Sequence, residues 1–285
     1  MDSTAVRAGR EPFHWRTAIA YKTKEKIVVR GYDLNDLTGT IGFAEMAYLV
    51  WRGELPPRDH GRMLDAILVS MAEHAFSPSS AASRFITSGG VPLHVGVAGG
   101  MLAIGSLHGT ADRPAELFKG AVDRMQREHL NLQDAAREMV GEIRRAGGRL
   151  PGFHHPQHIE DPRTARLLDL SDRLGVSGQH VAMAKAIEAA TEAFWGRRIY
   201  LNGPGAVGAI CLDMGFDTEL IKGVFLLSRT VSLVAHTYEE ARREKGWRGS
   251  ANASITQPLD LSLQRPEFYD GPPDRSLPRD RLGGR

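Results

Sequence analysis

TELIKGVFLLSRTVSLVAHTYEEARREKG, residues Thr218 to Gly246, decides the fold class, because its apolar residues recur with helical spacing and predict a long helix over 218–245. Arg229 and His236 lie seven residues apart in it and therefore share a face. Arg229 is flanked by Leu226, Leu227, Val231 and Leu233, which predicts its burial. A buried guanidinium without an anion is costly, so either a substrate carboxylate or a structural Asp or Glu must meet it.

Working outward, nearly the whole chain reads the same way. Helices are predicted over Gly42–Arg52, Pro57–Glu73, Ser79–Ser88, Pro92–Gly105, Pro114–Glu128, Asn131–Ala146, Pro162–Leu174, His180–Trp195 and Gly205–Met214. AIAYKTKEKIVVRGYDL, with β-branched residues at Ile27 to Val29, suggests one short hairpin, and strands sufficient for a sheet are not expected. The predicted fold is mainly α, with turns such as Arg52 to Pro57 between helices. Residues 1–12 and the proline- and charge-rich stretch from Arg248 onward lack periodicity.

The composition is that of an ordinary globular protein: 285 residues, 42% apolar and 25% charged. Thirty-six basic and 34 acidic residues leave a formal charge of +2 without a basic stripe, so nucleic acid is not an expected partner. The single cysteine, Cys211, excludes an intramolecular disulfide. The first residues, MDSTAVRAGREPFHW, contain no apolar core of a secretory signal. The longest apolar runs are interrupted by His94 and Arg229, so no membrane association and a cytoplasmic location are expected.

The densest chemistry lies in LPGFHHPQHIEDPR, Leu150 to Arg163. His154, His155 and His158 titrate near neutrality, while Asp161 followed by Pro162 reads as a helix N-cap that puts Arg163 in the first turn. A helix start with a guanidinium suits a carboxylate or phosphate. A solvated turn would also account for the histidines. A metal site is not expected, since there is no second cysteine and no HExxH pattern.

His108, in IGSLHGTAD, follows a helix whose Gly96, Gly99, Gly100 and Gly105 allow close packing. It is either a cap or a neutral N–H donor toward a developing oxyanion. His74, after Glu73, suits the C-terminus of a helix as a cation. Gly203-Pro-Gly-Ala-Val-Gly208 matches GxGxxG formally, but no βαβ unit surrounds it, so a dinucleotide site is set aside.

Taken in order, KIVVRGYDLNDLTGTIGFAEMAYLVWRGELP, EHAFSPSSAASR, VAGGMLAIGSLHG, LPGFHHPQHIEDPR and LLSRTVSLVAH resemble the citrate synthase superfamily, in particular its short citryl-CoA lyase branch, over Ile27 to His236. YDGPP at Tyr269 to Pro273 is similar to tails of that branch. The resemblance implies a homodimer with a large helical domain, here 1–108 and 218–285, and an inserted smaller lid domain, 109–217. It implies as substrate a coenzyme A thioester of a tertiary hydroxy acid, exchanged with an acyl-CoA and a 2-oxo acid, and no tightly bound cofactor. Under it His155 matches the histidine that exchanges a proton with the substrate oxygen, and His108 the one that hydrogen-bonds the thioester oxygen as enolate charge develops. His74 matches the lyase DHG histidine. Arg163 and Arg229 match carboxylate-binding arginines, and Arg265 is the candidate for another, supplied across the dimer.

The chain departs from the family where LNVDGA becomes Leu201-Asn202-Gly203-Pro204-Gly205-Ala206. Pro204 stands in place of the aspartate that moves the α-carbon proton, and proline is neither acid nor base. Likewise GFGH becomes GFHH, with His154 in place of glycine, and Ser232 replaces the glycine of Arg-x-x-Gly. The expected activity is therefore C–C cleavage or formation with altered α-carbon chemistry, in which His154 joins the site. The alternative is a non-catalytic acyl-CoA-binding paralogue or regulatory subunit.

Overall fold

A computed structural model describes residues 16–109, 111–155, 158–248, 272–273 and 275–276. Arg265 and most of the YDGPP stretch lie outside the described residues. Strands β1 (Ala20–Lys22), β2 (Ile27–Val29) and β3 (Tyr32–Asp33) precede helices α1 (Leu34–Leu37), α2 (Phe43–Arg52), α3 (Arg58–Met71), α4 (Pro78–Thr87), α5 (Leu93–Leu102), α6 (Asp112–Arg127), α7 (Leu132–Arg145), α8 (Pro162–Arg173), α9 (Gln179–Trp195), α10 (Gly203–Asp213) and α11 (Thr218–Arg243). The fold is mainly α, as the periodicity predicts, and the predicted helix ends agree to within three residues.

The N-terminal region departs from the expected lone hairpin. A small antiparallel sheet forms in the order β1-β2-β3, with Tyr21 opposite Val28 and Val29 opposite Tyr32. The second connection is the two-residue turn Arg30-Gly31, both at positive φ (49° and 92°), which matches the twist of the flanking strands. A two-residue strand is too short for an alternation pattern to reveal.

The chain divides into two compact units, 1–73 with 109–229 and 74–108 with 230–285. In the first unit α10 is the central element, packed by α6, α8 and α9. Its sequence, GPGAVGAICLD, is apolar all round, and Gly203 and Gly205 to Leu212 are buried. Small residues let the neighbours approach closely: a Cβ on Gly205 would lie 2.3 Å from the Gly152 carbonyl oxygen, and one on Gly208 2.7 Å from that of Ala111. At its far end Asp213 closes the start of α9, accepting from the Gly178, His180 and Val181 amides and from His180 Nδ1 at 2.7–3.0 Å. Burial alone would raise the Asp213 carboxyl, but these donors hold it below the usual carboxylate range.

In the second unit α5 lies on α4. Cβ atoms on Gly96 and Gly99 would meet Thr87 Oγ1 at 2.3 Å and Ile86 Cδ1 at 2.1 Å, whereas Gly105 faces open space and has no packing role. By length and composition α11 could cross a membrane, yet Val224, Phe225, Arg229, Leu233, Thr237 and Glu240 are buried within the protein, the pattern of a core helix.

Two measurements check this packing. Gly208→Ala should destabilise the protein by more than about 2 kcal/mol in denaturant unfolding, because the new methyl meets backbone, while Gly120→Ala, in the interior of α6 with open space around it, should stabilise by about 0.5–1 kcal/mol. Asp213→Asn should cost about 2 kcal/mol at pH 7. Since the folded carboxyl is depressed, that stability is present above the unfolded value near 3.9 and disappears as pH falls through the folded value, so wild type and variant should converge in acid.

Candidate active site

The histidine loop is held at backbone level before its side chains are considered. Phe153 is buried edge-on to Phe118 (ring centroids 6.0 Å apart) and bridges Leu201. The His154 amide donates to the Tyr200 carbonyl at 2.8 Å, and the Asn202 amide to the Gly152 carbonyl at 2.9 Å. On the other edge of this strand-like run, Glu188 accepts from the Leu201 amide at 2.7 Å and Thr191 from the Ile199 amide at 2.9 Å. Residues 152–154 and 199–202 thus form a fixed floor.

His154 takes φ = +63° on that floor, the left-handed region that favours glycine. Its carbonyl accepts from Asn202 Nδ2 at 2.7 Å, so its backbone is pinned while its side chain is exposed. His155 and His158 are half-buried, their rings 4.6 Å apart and tilted by 31°. Together with Ile159, Arg197, Arg198, Ile199 and Tyr200, the three histidines line a cavity of about 310 Å³. His158 therefore sits beside His155.

Asp161 is the centre of the next layer. Its buried carboxylate caps α8 by accepting from the Arg163 amide (3.1 Å). It also takes Arg163 Nε (2.9 Å) and Nη2 (2.6 Å) as a two-pronged fork, and accepts from the Gly203 amide (2.8 Å) at the start of α10. Burial would raise this carboxyl, but Arg163 and the two amides outweigh it and hold Asp161 well below the usual carboxylate range. Asp161 is consequently an ionised brace and a poor proton carrier. Arg163 has its remaining nitrogen, Nη1, 3.7 Å from Met71 Sδ.

Arg229 is 2% exposed, as its flanking residues predict, and lies over the Phe225 ring at 5.2 Å. Burial lowers its pKa from the usual arginine value; the charge of Glu73 opposes this and that of Arg163 adds to it. An acidic residue and a second guanidinium are therefore both in electrostatic reach. Pro204 occupies the first turn of α10, after the N-cap Asn202, whose side chain accepts from the Gly205 amide at 2.9 Å. Cys211, inside α10, has its thiol pushed up to about 12 by burial and is no nucleophile.

The second unit holds His108 and His74, the other two candidate histidines. His108 pairs with Gly105 across a tight turn, and its Nε2 lies 2.8 Å from Ser79 Oγ. Ser79, fully buried near the start of α4, can donate to Nε2 and leave the opposite nitrogen as an N–H donor. His74 is half-buried in the turn between α3 and α4. Sequence reading missed Ser79, the Asp161–Arg163 fork and the closeness of Gly203 to it. The Asp-x-Arg spacing at a helix start was the available signal for the fork.

The family model for the citrate synthase C-terminal domain matches residues 56–250. The structure of citryl-CoA lyase from Hydrogenobacter thermophilus is 35% identical with a TM-score of 0.80, covering 94% of this chain and 99% of that one. An ATP citrate lyase variant of Methanosaeta concilii, in complex with (3S)-citryl-CoA, shares the fold at 24% identity and a TM-score of 0.70, over 82% of this chain and 40% of that one. The ATP-citrate synthase beta chain protein 1 of Arabidopsis thaliana is 26% identical over 84% of this chain and 42% of its own length. The chain spans about half the length of the curated relatives it matches. The family model covers more than half of the chain, and with the helical fold in place this chain belongs to the citrate synthase family.

Proposed function

We propose that the protein cleaves, or in reverse forms, the C–C bond between an acetyl-CoA-like thioester and an oxaloacetate-like 2-oxo acid, as a citryl-CoA lyase-like enzyme. The observation that carries this reading is one unit that holds the buried Arg229, with Arg163 and Glu73 in electrostatic reach of it, and His155 on the wall of a cavity of about 310 Å³. The two arginines fix the carboxylates of a bound anionic acid.

In the cleavage direction His155 takes the proton of the tertiary hydroxyl. The oxygen lone pair forms the 2-oxo carbonyl as the C–C bond breaks, and the bonding electrons pass to the thioester as an enolate. His108, oriented through Ser79, donates a hydrogen bond to the enolate oxygen, a contribution of about 100- to 1,000-fold for one such donor. Carbon then takes a proton from water or from His154, because Pro204 has none to give. The missing aspartate has an expected cost of about 100- to 10,000-fold, unless the substrate carbon is more acidic. Residues 109–217 act as the lid, and the protein works as a homodimer in the cytoplasm. Pro204 also supports a second reading, a non-catalytic acyl-CoA-binding protein.

Incubation with citryl-CoA, following oxaloacetate release, decides between the two. Turnover that falls at least 100-fold in His155→Ala supports the lyase, whereas coenzyme A binding by calorimetry without turnover of any tested thioester supports the binder. Ser79→Ala should lower kcat about tenfold with little change in the KM for citryl-CoA. His154→Gly should stabilise the fold by about 1 kcal/mol, by removing the left-handed strain, and at the same time lower kcat. Unchanged turnover in that variant would remove His154 from the mechanism.

A further inference from the structure

Nothing in the backbone requires glycine at position 203. Its φ is outside the left-handed region, and it lies within the first turn of α10, where side chains are ordinarily tolerated. The space around it is tight: a Cβ there would lie 3.0 Å from Arg163 Cζ, 3.0 Å from Arg163 Nε and 3.0 Å from Asp161 Oδ2, so a side chain fits only if one of these groups gives by a few tenths of an ångström. Position 203 falls against the arginine proposed to bind the carboxylate.

We propose that Gly203 is a specificity-determining residue of the anion site: by carrying no side chain it lets Arg163 fold back onto Asp161 over the start of α10. The fork uses Nε and one Nη2 hydrogen, at 2.9 and 2.6 Å. The guanidinium is then left to meet a substrate carboxylate end-on, through Nη1 and the second Nη2 hydrogen, instead of through its Nε edge. The Gly203 amide, donating to the same Asp161 oxygen at 2.8 Å, registers the helix start to the fork. With a β-carbon at 203, the buried aspartate is held by four donors and is the stiffer neighbour, so the arginine side chain gives way and its end-on presentation is weakened. Arg163 is thereby set for an acid whose carboxylate arrives along one direction, which narrows the choice of 2-oxo acid.

This inference rests on the carboxylate role proposed for Arg163, and the test separates the two. Calorimetry with oxaloacetate and the KM for citryl-CoA are measured for wild type, Gly203→Ala, Asp161→Asn and the double variant, with thermal unfolding as the check on folding. Both single variants should weaken oxaloacetate binding about tenfold, the loss of one well-oriented charged hydrogen bond, with coenzyme A affinity changed less than twofold. Because both act through one fork, the double variant should also lose about tenfold and not the product of the two. Additive losses, or unchanged oxaloacetate affinity in Gly203→Ala, overturn the role of Gly203 while leaving the lyase reading intact. Wild-type protein that neither binds oxaloacetate nor turns over citryl-CoA overturns both. If Gly203→Ala does not fold, Gly203→Ala in an Arg163→Lys background, where the slimmer ammonium leaves room for the methyl, should recover folding. Failure of that variant to fold also counts against the fork.

Discussion

The carboxylate of Asp161 ties together the parts on which any chemistry here depends. It is buried, and it meets four donors: two amides and two nitrogens of Arg163. One amide starts α8 and the other starts α10, so a single charge fixes the relative register of two helices and the direction of one guanidinium. An isolated charge in that position would be untenable. The four bonds make it stable, and Asp161 remains ionised far into acid. The histidine loop hangs from the same frame, because the strand-like run ahead of α10 is what Phe153 and His154 bond to.

This frame also constrains the reaction. Asp161 is the carboxylate bonded to the start of α10, and its donors keep it from taking a proton. The side chain of Asn202 is committed to the Gly205 amide and the His154 carbonyl. In the proposed reaction, proton delivery to carbon falls to a group that can reach the cavity, and His154 is the exposed imidazole on its wall. Its backbone is held at φ = +63°, in the left-handed region, by the hydrogen bonds around it.

Much of this was legible in the sequence, for identifiable reasons. Helix existence followed from periodicity, the start of α8 from Asp161-Pro162, and the burial of Arg229 from its apolar flanks. Relationships between distant segments were not legible. Ser79 and His108 are 29 residues apart, and Gly203 and Asp161 are 42 apart, so no local pattern joins either pair. β3 escaped because two residues have no period, and Gly105 was misjudged because a glycine run does not say which members face a neighbour.

The most direct test of the central claim is a crystal structure with oxaloacetate and coenzyme A bound. A substrate carboxylate should lie on the Nη1/Nη2 end of Arg163, with Nε still on Asp161, a second anionic contact from Arg229, and His155 within hydrogen-bond distance of the 2-oxo oxygen. A carboxylate bound elsewhere, with Arg163 and Arg229 touching only protein, would contradict it.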